Sequence, residues 1–202
     1  MKDIASILFK ISGVKKTPAA GSVLIAEPFL KDTFYTHGVM SIIDYVPEDG
    51  ATGVILNNRS EYKLADLLDN ITVPEPIPVF CGGSTGQDRL FFIHTLGPDI
   101  IADARPYAPG LYVGGNFDDA ISYVNDGYNT EGAIRFFLGY CNWVEGQLER
   151  EIQNDKWVSA GNSTSPEELL SEAGDAYWHR MVRGLGPDYR SWSLMPRNAV
   201  CN

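Results

Sequence analysis

Short apolar runs, separated by glycine, proline and acidic residues, recur along most of this chain. Runs of this length that contain β-branched and aromatic residues are typical of buried strands. The clearest pair lies at 38–46 and 52–56, and the Asp49-Gly50 step between them supplies the positive φ that a tight reversal needs. This pattern predicts a β-hairpin. Further strands are predicted at 22–26, from residue 79, and at 89–95, 111–113 and 156–160.

A second pattern, in which apolar residues recur every three or four positions, predicts amphipathic helices. One such helix covers the first residues and leads through a tether to residue 20, so we divide the chain into an N-terminal helix with its tether at 1–20 and a single domain at 21–202. Ser165, Pro166 and Glu168 have the order of a helix start, and this helix is predicted to end near residue 174. A short helix that carries Leu64, Leu67 and Leu68 is predicted to begin after Ser60 or Glu61, and another after Asn116 or Asp118. A further helix is predicted after Asp175, with a buried stripe of Tyr177, Trp178, Met181, Val182 and Leu185 and with His179, Arg180 and Arg183 exposed.

The stretch from residue 134 to residue 152 predicts a strand, a turn and a helix in succession. Residues 136–138 form a short apolar run that ends at Gly139. Asn142 and Glu145 have the spacing of a capping box, which predicts a helix that begins near Trp143. We expect the Trp143 side chain to be at least half buried against the sheet. The residues predicted to face the sheet from this helix are Val144, Leu148 and Ile152.

Charge is distributed unevenly along the chain, and this restricts the partners that it can bind. Residues 1–16 and residues 176–202 each carry a net charge of +3, and since the whole chain carries −10, the body at 17–175 carries −16. Binding to nucleic acid depends on Lys and Arg contacts to phosphates, so an acidic body disfavours direct DNA contact. No apolar run approaches the roughly 20 residues of a membrane span, and no signal peptide is recognisable, so we expect a cytoplasmic protein that contacts no membrane.

Candidate catalytic and metal-binding patterns are weak. The glycine loop at 82–86 fits neither of the common nucleotide-binding motifs, and a tight β-turn is the preferred interpretation. His94 with Cys81 or Cys141 would make a thiol nucleophile and its base only if the fold brought them together, and structural roles are preferred. Glu145 and Glu149 are one helical turn apart, but charged residues on such a face are usually solvated. His37, His94 and His179 never have the spacing of a metal motif, so no catalytic residue, metal ligand or cofactor is predicted.

Four stretches resemble a known bacterial family. Residues 139–149 read Gly-Tyr-Cys-Asn-Trp-Val-Glu-Gly-Gln-Leu-Glu and resemble the Gly-Tyr-x-x-Trp-x-x-Gly-Gln-Leu-Glu signature of the AlgH/YqgE family. Residues 24–28, residues 50–57, and the glycine pair 82–83 with Asp88, Arg89 and His94 also match, so the resemblance covers 21 to about 198. It implies a single α+β domain, in which a bifurcated, mostly antiparallel sheet is curled into a pseudo-barrel and flanked by helices. The chain departs from the family's Gly-Gly-Pro at Ser84.

The resemblance implies no settled activity, although members of the family are often labelled transcriptional regulators. We expect a non-enzymatic protein with a regulatory role that binds a protein partner or a small ligand. A DNA-binding regulator is the second interpretation, and an uncharacterised hydrolase or transferase is the third. Loops at strand ends can present polar groups, so we predict a shared binding groove with Arg89 as its main cation; the alternative is that Arg89 pairs with Glu145 or Glu149 and only braces the fold. The residues predicted to border the groove are Gly82, Gly83, Asp88, Arg89, His94, Trp143, Glu145 and Gln147.

Overall fold

A computed structural model describes residues 17–30, 34–160 and 165–197 of the protein. The predicted N-terminal helix and the first two residues of its tether lie outside these residues. The strands in chain order are β1 (Val23–Ala26), β2 (Val39–Val46), β3 (Gly50–Ile55), β4 (Arg59–Lys63), β5 (Pro78–Cys81), β6 (Thr85–His94), β7 (Arg105–Ala108), β8 (Leu111–Val113), β9 (Ile134–Trp143) and β10 (Trp157–Ser159). The helices are α1 (Leu64–Leu67), α2 (Phe117–Asn125), α3 (Gln147–Gln153), α4 (Pro166–Ser171) and α5 (Gly174–Gly184), followed by 3₁₀ turns at Pro187–Tyr189 and Trp192–Leu194.

Strand β9 is the centre of a single forked sheet. Its first half, at 136–138, pairs in parallel with β5 on one side and antiparallel with β6 on the other. Along its second half, at 141–143, β3 replaces β5 as the neighbour and pairs antiparallel with β9. All the remaining pairs are antiparallel, and the main strand order is β10-β1-β2-β3-β9-β6-β8-β7. The bifurcated, mostly antiparallel sheet implied by the family resemblance is therefore confirmed.

The sheet curls but does not close. The Tyr107 hydroxyl on β7 lies 3.2 Å from the Ser41 hydroxyl on β2, so the far end of the sheet returns to the region where the sheet begins. The terminal strands of the main order, β7 and β10, do not pair with each other in the described part of the chain. The pseudo-barrel is thus held by side-chain contacts across its opening instead of by a continuous ladder.

Helices cover the faces of the curled sheet with apolar stripes. On α5 the side chains of Tyr177 and Trp178 are fully buried, and the Trp178 indole donates to the carbonyl of Ala26 on β1 at 2.9 Å. Leu148 and Ile152 of α3 pack in one apolar cluster with strands β1, β2, β3 and β10. Helix α2 contributes to a third cluster built around the aromatic residues of β6 and β9. The fold is therefore a single α+β domain with flanking helices.

Several local predictions are confirmed. Strands β2 and β3 form the predicted hairpin around the Asp49-Gly50 step. Helix α4 begins with the predicted capping box, in which the Ser165 hydroxyl accepts from the Glu168 amide at 3.2 Å and the Glu168 carboxylate accepts from the Ser165 amide at 3.1 Å. It ends at Ser171, three residues before the predicted end. The helix predicted to begin after Ser60 or Glu61 begins only at Leu64, because the residues before it form β4, and neither β4 nor β7 was predicted.

The predicted start of a helix near Trp143 is wrong. Strand β9 continues to Trp143, because residues 141–143 pair with β3, and Asn142 lies exposed within the strand. Gly139 does not end the strand: its φ of 70° places a bend where β9 exchanges β5 for β3. Helix α3 begins only at Gln147, after Gly146. As a consequence Val144, predicted to face the sheet, is 62% exposed.

Candidate functional site

The predicted glycine turn at 82–83 crosses directly over the central strand. The link from β5 to β6 must pass from one side of β9 to the other, since the two strands flank it. A Cβ at Gly82 would lie 2.3 Å from the Gly139 carbonyl oxygen, and one at Gly83 would lie 1.9 Å from the Tyr140 carbonyl carbon. Glycine is required here because one backbone passes against another. This contact within the fold accounts for both glycines without a ligand.

The charged residues of the predicted groove lie on the surface near this crossing. Asp88 and Arg89 belong to the irregular part of β6 and are exposed. Arg89 forms no ion pair with Glu145 or Glu149 in the described structure, so the bracing alternative is not observed. Glu149 instead accepts a hydrogen bond from the Tyr45 hydroxyl at 2.5 Å. Arg89 therefore remains a free surface cation within the described residues.

Trp143 and Gln147 belong to a compact network around Glu151. Trp143 is 5% exposed, which confirms its predicted burial. The Glu151 carboxylate accepts from the indoles of Trp157 at 2.9 Å and Trp143 at 3.0 Å, and from the Gln147 amide at 3.3 Å. Burial alone raises the pKa of Glu151, but these hydrogen bonds outweigh it and hold the pKa below its usual value. The network ties α3 to β9 and β10 and leaves Glu145 exposed in the preceding turn.

The structure places His94 apart from the other predicted groove residues. His94 is opposite Ile134 at the start of β9, whereas Trp143 ends the same strand, so nine strand residues, or about 30 Å, separate the two levels. The His94 ring is buried, stacks on Tyr112 and lies 3.1 Å from the Gly114 carbonyl oxygen through Nε2. Burial lowers the pKa of His94, and its Nδ1 has no hydrogen-bond partner in the structure.

Neither Cys81 nor Cys141 lies at the level of His94 on the sheet. Cys81 pairs with Leu138, four residues along β9 from the partner of His94, and Cys141 pairs with Gly53 still further along. Burial raises the pKa of the Cys81 thiol, and the Cys141 thiol donates to the Gly82 carbonyl at 3.4 Å. The fold therefore does not bring either of these two cysteines to His94 as the base that nucleophilic catalysis would need.

One group that the sequence analysis missed is Arg135, an arginine buried in β9. It is 5% exposed and donates to the carbonyls of Leu56 at 2.6 Å and Leu170 at 2.5 Å. Its guanidinium lies over the Phe80 ring, 4.2 Å from the centroid, and the Arg59 guanidinium lies 5.8 Å from the same centroid. Burial lowers the pKa of Arg135 to about 10, so the side chain is charged at neutral pH. One signal was available in the sequence, because Arg135 lies within an apolar run, where a charged side chain is unusual.

Arg135 and Arg59 line a cavity of about 300 Å³ between β4, β5, β9 and α4. The other polar residues of its described wall are Glu75, Asn129, Thr130, Glu131 and Ser171. Glu131 acts on the charge of Arg135 but forms no ion pair with it in the described structure. A larger cavity of about 460 Å³ lies next to β1 and β7, and none of the described residues that line it is charged.

A second missed group brings together His37, Asp175 and His179. His37 Nδ1 lies 2.6 Å from one Asp175 carboxylate oxygen, and His179 Nε2 lies 3.1 Å from the other. Burial lowers the pKa of His37, although its hydrogen bond to Asp175 acts in the opposite direction. Its Nε2 is buried without a hydrogen-bond partner. The available signal was the spacing of Asp175 and His179, which places both on one face of α5, but nothing in the sequence connects them to His37.

Comparison with known proteins decides the family. An AlgH-like family model (DUF179) matches residues 23–190. The chain belongs to the AlgH-like family. Among its relatives in this family, the UPF0301 protein of Parabacteroides distasonis is 36% identical over 195 residues, which are 96% of this chain and 97% of the relative. The UPF0301 protein of Bacteroides thetaiotaomicron is 34% identical over 99% of this chain and 100% of its own.

Two solved structures share the fold. Protein DIP2367 from Corynebacterium diphtheriae superposes with a TM-score of 0.69 at 22% identity, covering 90% of this chain and 94% of its own. The solution structure of the AlgH protein from Pseudomonas aeruginosa gives a TM-score of 0.66 at 23% identity, covering 94% and 100%. In the described residues of this AlgH-like chain, no helix has the length and apolar character that a bilayer crossing requires.

Proposed function

We propose that this AlgH-like protein is a non-enzymatic, cytoplasmic regulator that acts by binding a small anionic ligand in the cavity formed around Arg135. The observation that carries the proposal is a buried cation in the wall of that cavity that forms no ion pair with any carboxylate among the described residues. A buried charge is costly unless it is paired, so an arginine of this kind is well suited to receive an anion.

The geometry of Arg135 leaves capacity for such a ligand. The hydrogen bonds to the carbonyls of Leu56 and Leu170 use two N–H groups and fix the plane of the guanidinium, and Phe80 supports one face. An arginine has five N–H donors, arranged in a fork that matches a carboxylate or a phosphate. Arg59, at the exposed side of the same ring, supplies a second cation that would approach the ligand from solvent.

The size and charge of the cavity narrow the ligand class. A volume of about 300 Å³ is at the lower end of the range for small-molecule sites, which favours a metabolite over a peptide. Glu75 and Glu131 in the wall disfavour a ligand of high negative charge and would accept hydrogen bonds from its hydroxyl or amino groups. A small carboxylate or phosphate ester with such groups fits this arrangement.

Titration of the purified protein with inorganic phosphate and with succinate, followed by amide NMR shifts, tests the proposal. We expect shifts around β5, the start of β9 and α4, and weaker binding by about tenfold for Arg59→Ala, whose residue is exposed and whose loss should not unfold the protein. Arg105→Ala is the matched control, because Arg105 is an exposed arginine whose partner is Asp44, outside the cavity. Shifts confined to other regions, or equal effects of both variants, would contradict the proposal.

Affinity purification distinguishes this cavity from the groove predicted at the other end of β9. A partner that is lost with Arg89→Ala and kept with Arg59→Ala would place the functional surface at the glycine crossing and refute the cavity as the site of action. Steep, salt-dependent retention on non-specific DNA would instead favour the DNA-binding interpretation.

A further inference from the structure

The three side chains of His37, Asp175 and His179 form a cluster that ordinary packing does not account for. One potential ligand atom from each lies within 4.8 Å of the other two. Around a tetrahedral zinc ion with bonds of about 2.1 Å, neighbouring ligand atoms are about 3.4 Å apart, so the contacts of 2.6 and 3.1 Å to Asp175 would have to lengthen slightly to admit the ion. Two imidazoles and one carboxylate are a common ligand set for divalent transition metals.

Two separate parts of the chain deliver these ligands, and both are held in place. Asp175 and His179 are one turn apart at the start of α5, an eleven-residue helix, and share a face. His37 lies in the turn before β2 with a φ of 54°, a left-handed conformation that is unfavourable for a residue with a side chain. Such strain is retained where the surrounding structure enforces it, and it is often found at functional sites.

Asn57 connects the two ligand-bearing segments. Its side-chain amide donates at 2.9 Å both to the carbonyl of His37 and to that of Gly174, which precedes Asp175, while its carbonyl oxygen accepts from the amide of Val39. Asn57 is 3% exposed, so this clamp is shielded from water. Metal sites characteristically have such buried partners behind the ligands, because they fix ligand orientation before the ion arrives.

The His37 ring is held in one orientation, with Nδ1 directed at Asp175. It stacks on Trp178 with ring centroids 3.7 Å apart and planes 2° from parallel. Nδ1 contacts Asp175, whereas Nε2 is buried without a partner. Asp175 and His179 are only partly buried, so the cluster has a closed side at His37 and a side open to water. Arg197, which bonds the Asn58 side chain, is close enough to act on His37 and is the one nearby cation we identify in the described structure.

We propose that His37, Asp175 and His179 bind one divalent first-row transition metal ion, with Zn²⁺ as the probe of choice, and that the ion links the turn before β2 to α5. For each neutral imidazole that donates to the carboxylate, the proton would move to the other nitrogen of the same ring, the ion would take its place between imidazole and carboxylate, and water would occupy the open position. This inference is independent of the anion cavity, since the two sites share no residue, and it revises the expectation of no metal drawn from histidine spacing.

The test uses untagged full-length protein freed of metal with a chelator, then titrated calorimetrically with Zn²⁺, Co²⁺ and Mg²⁺. We expect one Zn²⁺ per chain, comparable binding of Co²⁺ with visible absorption bands, and no response to Mg²⁺, which prefers oxygen ligands. His179→Ala and Asp175→Asn should each weaken Zn²⁺ binding at least about tenfold. Cys81→Ser and the exposed Asp126→Asn are controls for adventitious thiol and carboxylate binding and should leave it unchanged.

A measurement on the parent protein covers the case in which a variant fails to fold. Paramagnetic Co²⁺ should broaden the NMR signals of His37, His179 and the Trp178 indole before those of His94, which is on a different part of the sheet. Absence of transition-metal binding above the Mg²⁺ background overturns the proposal. So does binding that is undiminished in His179→Ala, or broadening centred away from His37.

Discussion

Replacing Gly83 with alanine tests the crossing of the β5 to β6 link over β9. The added Cβ would lie 1.9 Å from the Tyr140 carbonyl carbon, 2.1 Å from its oxygen and 2.3 Å from the Cys141 nitrogen. Ordinary contact between carbon atoms needs about 3.5 Å, so one of the two backbones would have to move by about 1.5 Å. All three obstructing atoms are backbone atoms of a strand paired on both sides, so no side chain can move aside to relieve the clash.

The expected cost follows from that geometry. Disrupting the pairing of β9 at this level belongs with the largest single-residue effects, at least about 4 kcal/mol. The free energy of unfolding of a domain of this kind is about 5–15 kcal/mol, so a loss of this size should leave Gly83→Ala only marginally folded. At about 2–4 °C per kcal/mol for a chain of this size, the melting temperature should fall by about 8–16 °C.

Thermal and urea unfolding followed by circular dichroism measure this effect. Gly184→Ala is the matched control, because nothing lies within 4 Å of the added Cβ and the residue is in α5, where alanine is favoured over glycine. The control should melt at or slightly above the parent temperature. If Gly83→Ala also melts within about 2 °C of the parent, a shift worth no more than about 1 kcal/mol, the close crossing is refuted and a role for Gly83 in ligand approach becomes the better explanation.

Three further predictions concern titrating groups. The hydrogen bonds to Glu151 lower its pKa, so its contribution to the free energy of unfolding should be complete above about pH 4.5 and should disappear as the pH falls through the lower folded pKa. In urea unfolding, Glu151→Gln should therefore be less stable than the parent at pH 7 and approach it at pH 3. Burial lowers the pKa of His94. The buried neutral ring therefore contributes its full stability above about pH 6.5, its unfolded pKa, and the fold loses that contribution as the pH falls toward the lower folded pKa. Between pH 7.5 and pH 5.5 the parent should lose more stability than His94→Gln. Cys81, whose thiol pKa burial raises, and the buried Cys141 should react with a neutral thiol reagent far more slowly than an unfolded peptide does, and rapid labelling of either in the native protein would revive an enzymatic role.

Local signals predicted those elements whose structure is decided by neighbouring residues. The hairpin of β2 and β3, the capping box at Ser165 and the buried stripe of α5 all depend on residues within a few positions of one another. The helix start at Asn142 failed because the pairing of residues 141–143 with β3 prevailed over a local capping pattern. Strand β4 was not predicted because its residues are mostly polar and exposed.

The candidate sites were less predictable than the fold, since they depend on contacts between distant parts of the chain. His37 and Asp175 are 138 residues apart in sequence, and only the packing of α5 against β1 and β2 brings them together. The exposed cation Arg89 was identified, whereas the role of Arg135 depends on Leu56 and Leu170, which no local pattern connects to it. The glycines at 82–83 were recognised as a turn, but the strand beneath them could not be inferred.

The central position of β9 has a consequence for how the chain reaches its native state. During synthesis β3, β5 and β6 emerge from the ribosome well before residue 134, so each has an unpaired edge until the last third of the chain arrives. Pairings between such distant segments make folding slow, and open strand edges invite association with other chains. We therefore expect that truncation before β9 gives an aggregating fragment, and that the sheet is completed only when this late strand enters between neighbours already synthesised.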